Sequence, residues 1–389
     1  MFTNSTRIAF ACCLALGWST RCAHSFAPPA PATTKVATTM LNVANADDDE
    51  PQPIQLSDAV KTVAVAGATG RTGSLVVQEL LDRGVDVVAL VRNLDKAAEV
   101  LPGADAGSNL KIIKCDLSNE EDIQQAVSGT DAAVWCATGF SDGPSSFIDR
   151  IKNIFGVAVT PKKSIDAVGI VALAEAFASI KGNNDNLPKV VMLSSAGVTR
   201  PSWDDEKKAL FVGAADIPIV RLNPFNILNI KAESEEKLRQ SGTPYCIYRP
   251  SGLNDQHPAG SRPVFSQGDL AVGRINRKDV ATILVDSLAT EEATGKTFEA
   301  FSLAGYPPAK DGIGPALARL RPDVEGIPSN EVLMATYSAM QQLLPGEKQQ
   351  PEKLAMGQTY EQLDKSEVGR LGERGKEDAR NAAPKPTSK

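Results

Sequence analysis

Histidine is almost missing from this chain. Only His24 and His257 occur in 389 residues, which excludes a multi-histidine metal centre. Aromatic residues make up 5%. The net charge is −6, with no long basic run. A cationic, ring-lined groove for nucleic acid is therefore not expected. None of the six cysteines forms a CxxC pair, so neither a zinc ribbon nor a disulfide framework is indicated. Cys12, Cys13 and Cys22 lie in the N-terminal segment. Cys115, Cys136 and Cys246 fall on expected strands or strand ends, where thiols act as small buried apolar groups. No apolar run is long enough to cross a bilayer as a helix.

The chain does hold one dense motif. Residues 63–75 read VAVAGATGRTGSL. A short apolar strand ends at Gly67, Gly70 and Gly73 follow, and an apolar helical pattern begins at once. Gly67 suits the turn off the strand. Gly70 lets a pyrophosphate approach the backbone, and Gly73 lets the helix pack on the strand. The helix start, with Thr69, Arg71 and Thr72 around it, offers N–H groups and a positive dipole end to phosphate. A second strand at 86–91 completes the strand–helix–strand unit that the motif requires. The alternative is an ordinary strand-to-helix turn without a ligand.

The residue after the second strand selects the cofactor. NAD binding places an Asp or Glu there to accept from the ribose hydroxyls. Here Arg92 stands instead. A guanidinium suits a 2′-phosphate and accepts nothing, so NADP(H) is expected over NAD(H). Arg71 is a second candidate for that phosphate. A solvated role for Arg92 is the alternative.

Strands and helices then alternate as in a parallel sheet. Strands are predicted at 62–66, 86–91, 111–115, 132–137, 190–194, 244–249 and 297–302, with another near Asn276. Helices are predicted at 95–100, 120–127, 164–179, 223–240 and 279–289. Asn223 is placed as a cap and Pro224 in the first turn. The fold class is α/β, a Rossmann-type doubly wound parallel sheet with helices on both faces. Ligands in such sheets bind beyond the carboxyl ends of the strands. That rule gathers Arg92, Asp116, Ala137, Thr138, Gly139, Ser194, Ser195 and Pro250 into one crevice. The domain would span 58–306. Amphipathic patterns at 311–320 and 331–344 predict a helical C-terminal extension over 307–350. Residues 351–389 are charged and poor in large apolar side chains, which predicts a weakly ordered tail.

Residues 1–25 have the three parts of a secretory signal peptide. An Ala-, Pro- and Thr-rich stretch with no acid before Asp47 follows, within a segment read as 26–57. The junction AHS-FAP resembles the bipartite plastid presequence of diatoms and related algae. That resemblance implies a transit peptide and a plastid location, in the stroma. Simple secretion is the alternative, and the odd number of cysteines beyond the presequence argues against it.

The pieces GATGRTG (67–73), VVALVRN (87–93), CDLSN (115–119), VWCATG (134–139), VVMLSSAGV (190–198), KAESEEKLRQSGTPYCIYRPSGL (231–253) and NRKDVA (276–281) together resemble the atypical short-chain dehydrogenase/reductase family, in its NmrA-like and flavin-reductase-like branch. The resemblance implies Asp116 and Leu117 near the adenine and Ala137 to Gly139 near its ribose. It also exposes a break. Many members of the wider family use Tyr-x-x-x-Lys, the tyrosine as acid or base and the lysine on the nicotinamide ribose. This chain keeps Lys231 but has Ile227 four residues earlier, and isoleucine transfers no proton. Lys231 either still holds the ribose or is a solvated helix residue paired with Glu235. Ser194 and Ser195 stand where the family has a serine. Lys231 and Ser195 are thus the catalytic candidates, and His257 is a loop residue on the substrate side.

Two functions are open. One is a plastid NADPH-dependent reductase of a small acceptor such as a flavin, a quinone or an enone. The loops 140–163, 197–220 and 253–273 would wall its substrate. The other is a non-catalytic NADP(H)-binding scaffold or assembly factor. In that case the C-terminal extension would meet a plastid membrane protein, at the thylakoid surface, and Phe140, Phe147 or Phe225 would fill the pocket.

Overall fold

Valine and alanine dominate the first strands, and that composition suits a sheet covered on both faces. The computed structural model describes residues 55–101, 109–138, 165–178 and 186–343, with Ala355, Val368 and residues 372–376. Residues 1–54, Gly139, the loop 140–163 and most of the tail past 343 lie outside them.

Strand β1 (Thr62–Ala66) leads into α1 (Gly73–Asp82), β2 (Asp86–Val91), α2 (Leu94–Val100), β3 (Leu110–Lys114), α3 (Glu120–Ala126), β4 (Ala132–Trp135), α4 (Ile165–Ala178) and β5 (Val190–Leu193). Helices α5 (Asp205–Leu210) and α6 (Ile227–Gln240) precede β6 (Tyr245–Pro250). Then come β7 (Gly252–Leu253), β8 (Arg262–Ser266), β9 (Arg274–Ile275), α7 (Arg277–Ser287), β10 (Lys296–Leu303) and α8 (Asn330–Gln342).

The main sheet has eight strands in the order β3-β2-β1-β4-β5-β6-β10-β8. Seven run parallel, and β8 lies antiparallel on β10 at the edge. The order reverses between β1 and β4, and the crevice opens there. Alternation along β1 builds both cores. Val63 and Val65 pack under Val76, Val77 and Leu80 of α1 and Val280, Ile283 and Leu284 of α7. Ala64 and Ala66 face Ile123 of α3 and Ile170, Leu173 and Phe177 of α4. Each such buried Leu, Ile or Val contributes roughly 1.5–3 kcal/mol over leaving it exposed. The fold is the doubly wound Rossmann sheet with helices on both faces.

Three places differ from the pattern in the sequence. The helix expected from Asn223 begins at Ile227, after a separate 3₁₀ turn at Pro224–Asn226. Asn223 and Asn226 take φ of 31° and 58°, which breaks the α geometry. Asn223 still acts at a distance, because its Oδ1 accepts the Leu228 N–H at 3.0 Å. Strand β8 lies inside the expected substrate loop. It is short and holds Pro263, which an edge strand tolerates and periodicity does not show. Third, the segment read as a variable loop forms α5, capped by Asp204. Beyond β10, a short helix at Gly314–Leu317 and α8 pack back on the sheet domain. Leu333 and Met340 of α8 cover Trp203, Phe211 and Phe301.

Candidate functional site

The glycine loop is shaped by three contacts. Gly67 has φ of +77°, and a Cβ there would stand 2.7 Å from the Ala137 nitrogen. Only glycine admits this approach of the β1 turn to the end of β4. A Cβ on Gly73 would meet the Gly67 carbonyl oxygen at 2.2 Å, so α1 sits directly on the turn. Gly70 differs. Its Cβ would meet nothing but the Gly67 oxygen, at 3.1 Å, and its outer side is open. Thr72, at the head of α1, makes no side-chain cap. The helix start lies beside half-buried Thr69 and exposed Gly70, with the Ser74 N–H donated to the Gly70 carbonyl at 2.9 Å. This cradle fits a dinucleotide diphosphate, which needs close backbone approach and a helix N-terminus.

The next strand ends are polar and exposed. Arg92 stands at the end of β2, and Asn93 after it caps α2 by accepting the Lys96 N–H at 3.1 Å. Asp116 follows β3, exposed, and its carboxylate accepts the Ser118 N–H and hydroxyl at 2.9 and 2.7 Å. Leu117 is half-buried against the core. Ala137 is buried beside Gly67, and Thr138 is exposed. Gly139 lies outside the described residues.

On the other side of β4 the key helix is α6. Ile227, where the family pattern has tyrosine, is buried with Val198 and Leu228. Lys231 is also buried, and its Nζ lies 3.8 Å from Asp166 Oδ1 in the first turn of α4. It stands close enough to Cys136 to oppose the burial that pushes that thiol up to about 12. The pairing of Lys231 with Glu235 does not occur. Glu235 is gripped by Arg249, which donates to Oε1 at 2.9 Å and to Oε2 through a second bond. Arg239 adds a third bond at 3.0 Å. Burial works to raise the Glu235 carboxyl, and the Arg249 charge and hydrogen bonds overcome it and hold the group low.

Ser194 is buried at the end of β5. The Ser195 hydroxyl donates to the Ala196 carbonyl at 3.0 Å. Pro250 ends β6, and its carbonyl accepts the Ala196 N–H at 3.0 Å. That bond ties the β5 and β6 ends together. The two nearby tyrosines are committed elsewhere. Tyr245 donates to Asp323 at 3.0 Å, and Tyr248 stacks on Phe298 with centroids 5.3 Å apart.

Beyond β7 a strap, residues 254–261, crosses to the glycine loop. Strand β7 pairs with β9, and the Asn276 side chain donates to the Asp255 and His257 carbonyls. Asp279 accepts the Gly260 N–H at 2.6 Å. Asp255 accepts from Arg277 Nη1 and from Arg71 Nη2, each at 2.6 Å. Arg71, a phosphate candidate by sequence, thus sits on a carboxylate of the strap. His257, within the strap, is buried rather than solvated.

Behind the strap lies a second group of buried charges. Arg200 donates to the carbonyls of Ala214, Asp269 and Ala271. The Asp269 and Ala271 N–H groups donate to Glu299. Asp166 and Asp255 lie in none of the sequence motifs, and Arg277 falls within NRKDVA without a role having been assigned to it. Among the described residues no helix is long and apolar enough to cross a membrane.

Known proteins agree with this geometry. A family model described as NAD(P)H-binding matches residues 67–291. An uncharacterized chloroplastic protein of Arabidopsis thaliana is 32% identical over 65% of this chain and 81% of its own length. The chloroplastic protein TIC 62 of Pisum sativum is 31% identical over 49% of this chain, but only 32% of that protein is covered. Sanguinarine reductase of Eschscholzia californica is 26% identical over 66% of this chain and 92% of its length. The glycine cradle at the switch point and the match across most of the sheet domain lead to one identification: the chain belongs to the NAD(P)H-binding family.

Proposed function

We propose that this protein is a plastid NADP(H)-dependent reductase that passes a hydride to a small acceptor such as a flavin, a quinone or an enone. The observation that carries the reading is Lys231, buried against Asp166 at the carboxyl end of β4. An ammonium held in place by Asp166 is an oriented donor for a ribose hydroxyl. The glycine-loop amides would hold the diphosphate and Arg92 the 2′-phosphate, with Asp116 and Leu117 beside the adenine. A bound nicotinamide would supply the hydride. The chain's own work is then orientation and exclusion of water. Ile227 supplies no proton, so water is the proton source. The match to a reductase over 92% of that protein's length supports this reading. The chloroplastic names of the relatives support the plastid, with 1–25 as signal peptide, 26–57 as transit segment and the stroma as destination.

A second reading follows from Ile227 itself. With no tyrosine four residues before Lys231, the same site serves a non-catalytic NADP(H)-binding scaffold, and α8 and the tail would meet a plastid membrane partner. The two readings separate on one measurement. NADPH absorbance at 340 nm is followed with the purified protein against a panel of flavins, quinones and enones. Oxidation with any acceptor establishes the reductase and begins to name its substrate. Tight binding without oxidation across the panel leaves the scaffold.

A further inference from the structure

The tip of the glycine loop is tied to a carboxylate 184 residues away. Two guanidiniums meet on that one group. Their settings are unequal. The Arg277 side chain is 13% exposed and heads α7, whereas the Arg71 side chain is 71% exposed. Asp255 itself cannot follow Arg71. Its carbonyl accepts from Asn276, its carboxylate is held by Arg277, and the strap is fixed by the β7–β9 pair and by Asp279. When an anion reaches the glycine loop, Arg71 is the partner free to leave. Arg277 then keeps Asp255 compensated, so the exchange strands no charge.

We propose that Asp255 is a specificity-determining residue of the cofactor site: fixed on the α7 N-terminus, it competes with a cofactor 2′-phosphate for the Arg71 guanidinium and so limits the preference for NADPH over NADH. This rests on the NADP(H) reading above, with Arg71 as the second candidate cation for the 2′-phosphate beside Arg92. The physical basis is charge. A phosphomonoester carries close to two negative charges near neutral pH and a carboxylate one, so phosphate wins Arg71 but gains only the difference. Asp255 also repels the phosphate, which a neutral amide of the same shape does not. NADH has no 2′-phosphate and leaves the Arg71–Asp255 pair in place.

The test is calorimetric titration of the full-length protein with NADPH, NADH, 2′,5′-ADP and 5′-ADP, which requires no turnover. Asp255→Asn should tighten NADPH and 2′,5′-ADP by roughly two- to fivefold, the range of an exposed ion pair. NADH and 5′-ADP should hold their affinities. In an Arg71→Ala background the same substitution should change nothing. Equal loss for all four ligands would make Asp255 a support of the strap and overturn the proposal. So would a gain that survives without Arg71. A wild-type protein that binds 2′,5′-ADP no better than 5′-ADP would overturn the NADP(H) reading first, and the role of Asp255 with it.

Discussion

The two sides of the crevice are built from different materials. On the β1–β2–β3 side, position is set by backbone, through Gly67 against Ala137 and Gly73 against the Gly67 carbonyl. The charged side chains there, Arg71, Arg92 and Asp116, are exposed. On the β5–β6–β10 side the charges are inside. Glu235, Arg249, Arg200, Asp269 and Glu299 are all buried. The first side should tolerate loss of a charge and fail on an added methyl. The second should do the reverse, because a buried charge without its partner costs far more than an exposed one.

The largest effect tests the buried side. Arg249→Ala strands Glu235 and should lower stability by about 3–5 kcal/mol in urea unfolding. Joint replacement of Arg249 by Met and Glu235 by Leu should recover much of that loss. If the single and double replacements cost the same, the pair does not act as a unit.

Next comes the backbone side. Gly67→Ala combines a left-handed φ with a collision at Ala137, and should cost on the order of 2–4 kcal/mol in the same assay. Gly70→Ala should leave stability within about 1 kcal/mol yet weaken dinucleotide binding, read by NADPH fluorescence. Equal destabilisation by both would remove the division of labour between these glycines.

A smaller effect is expected at Arg92. Arg92→Ala should weaken NADPH by about tenfold, the worth of a modest charged hydrogen bond, and leave NADH unchanged. Equal losses for both would exclude a 2′-phosphate contact.

A further effect, spread over pH, is a slope in stability. Burial, then the neighbouring Asp269 charge, push the Glu299 carboxyl from 4.5 up to about 7. The folded state then holds a proton that the unfolded chain has released. Stability from this group is complete below pH 4.5 and is lost as pH rises through 7. Asp269 has the opposite sign. Burial opposes its ionisation, but Arg200 and Arg249 hold it below its ordinary 3.8. Its contribution is lost only as pH falls through that depressed value. Between pH 5.5 and 8 the unfolding midpoint should therefore decline, and Glu299→Gln should flatten the slope. An unchanged slope in that variant would place the titration elsewhere.

The same division explains what could be read in advance. The β1–turn–α1 unit and the place of Arg92 at the end of β2 were legible because their signals are local: glycine spacing, an apolar run, a residue at a strand end. The break at Ile227 was legible for the same reason. The end of Lys231's reach was not. Its partner Asp166 lies 65 positions earlier, on another helix, and only the packing of α6 against α4 brings the two together. Arg71 was read as a phosphate ligand because nothing near it in sequence competes. Asp255 does compete, and it arrives through a strap anchored on α7.

Residue order alone was enough to specify a glycine turn at a helix start, strand ends sharing one edge, and isoleucine where the family pattern has tyrosine. Backbone conformation and hydrophobic period are short-range properties, and neighbours in the chain decide them. Tertiary packing decided which charges are buried, which carboxylate faces each guanidinium, and that Lys231 points inward. Burial is a property of the whole fold, and the strength of a charge pair depends on it.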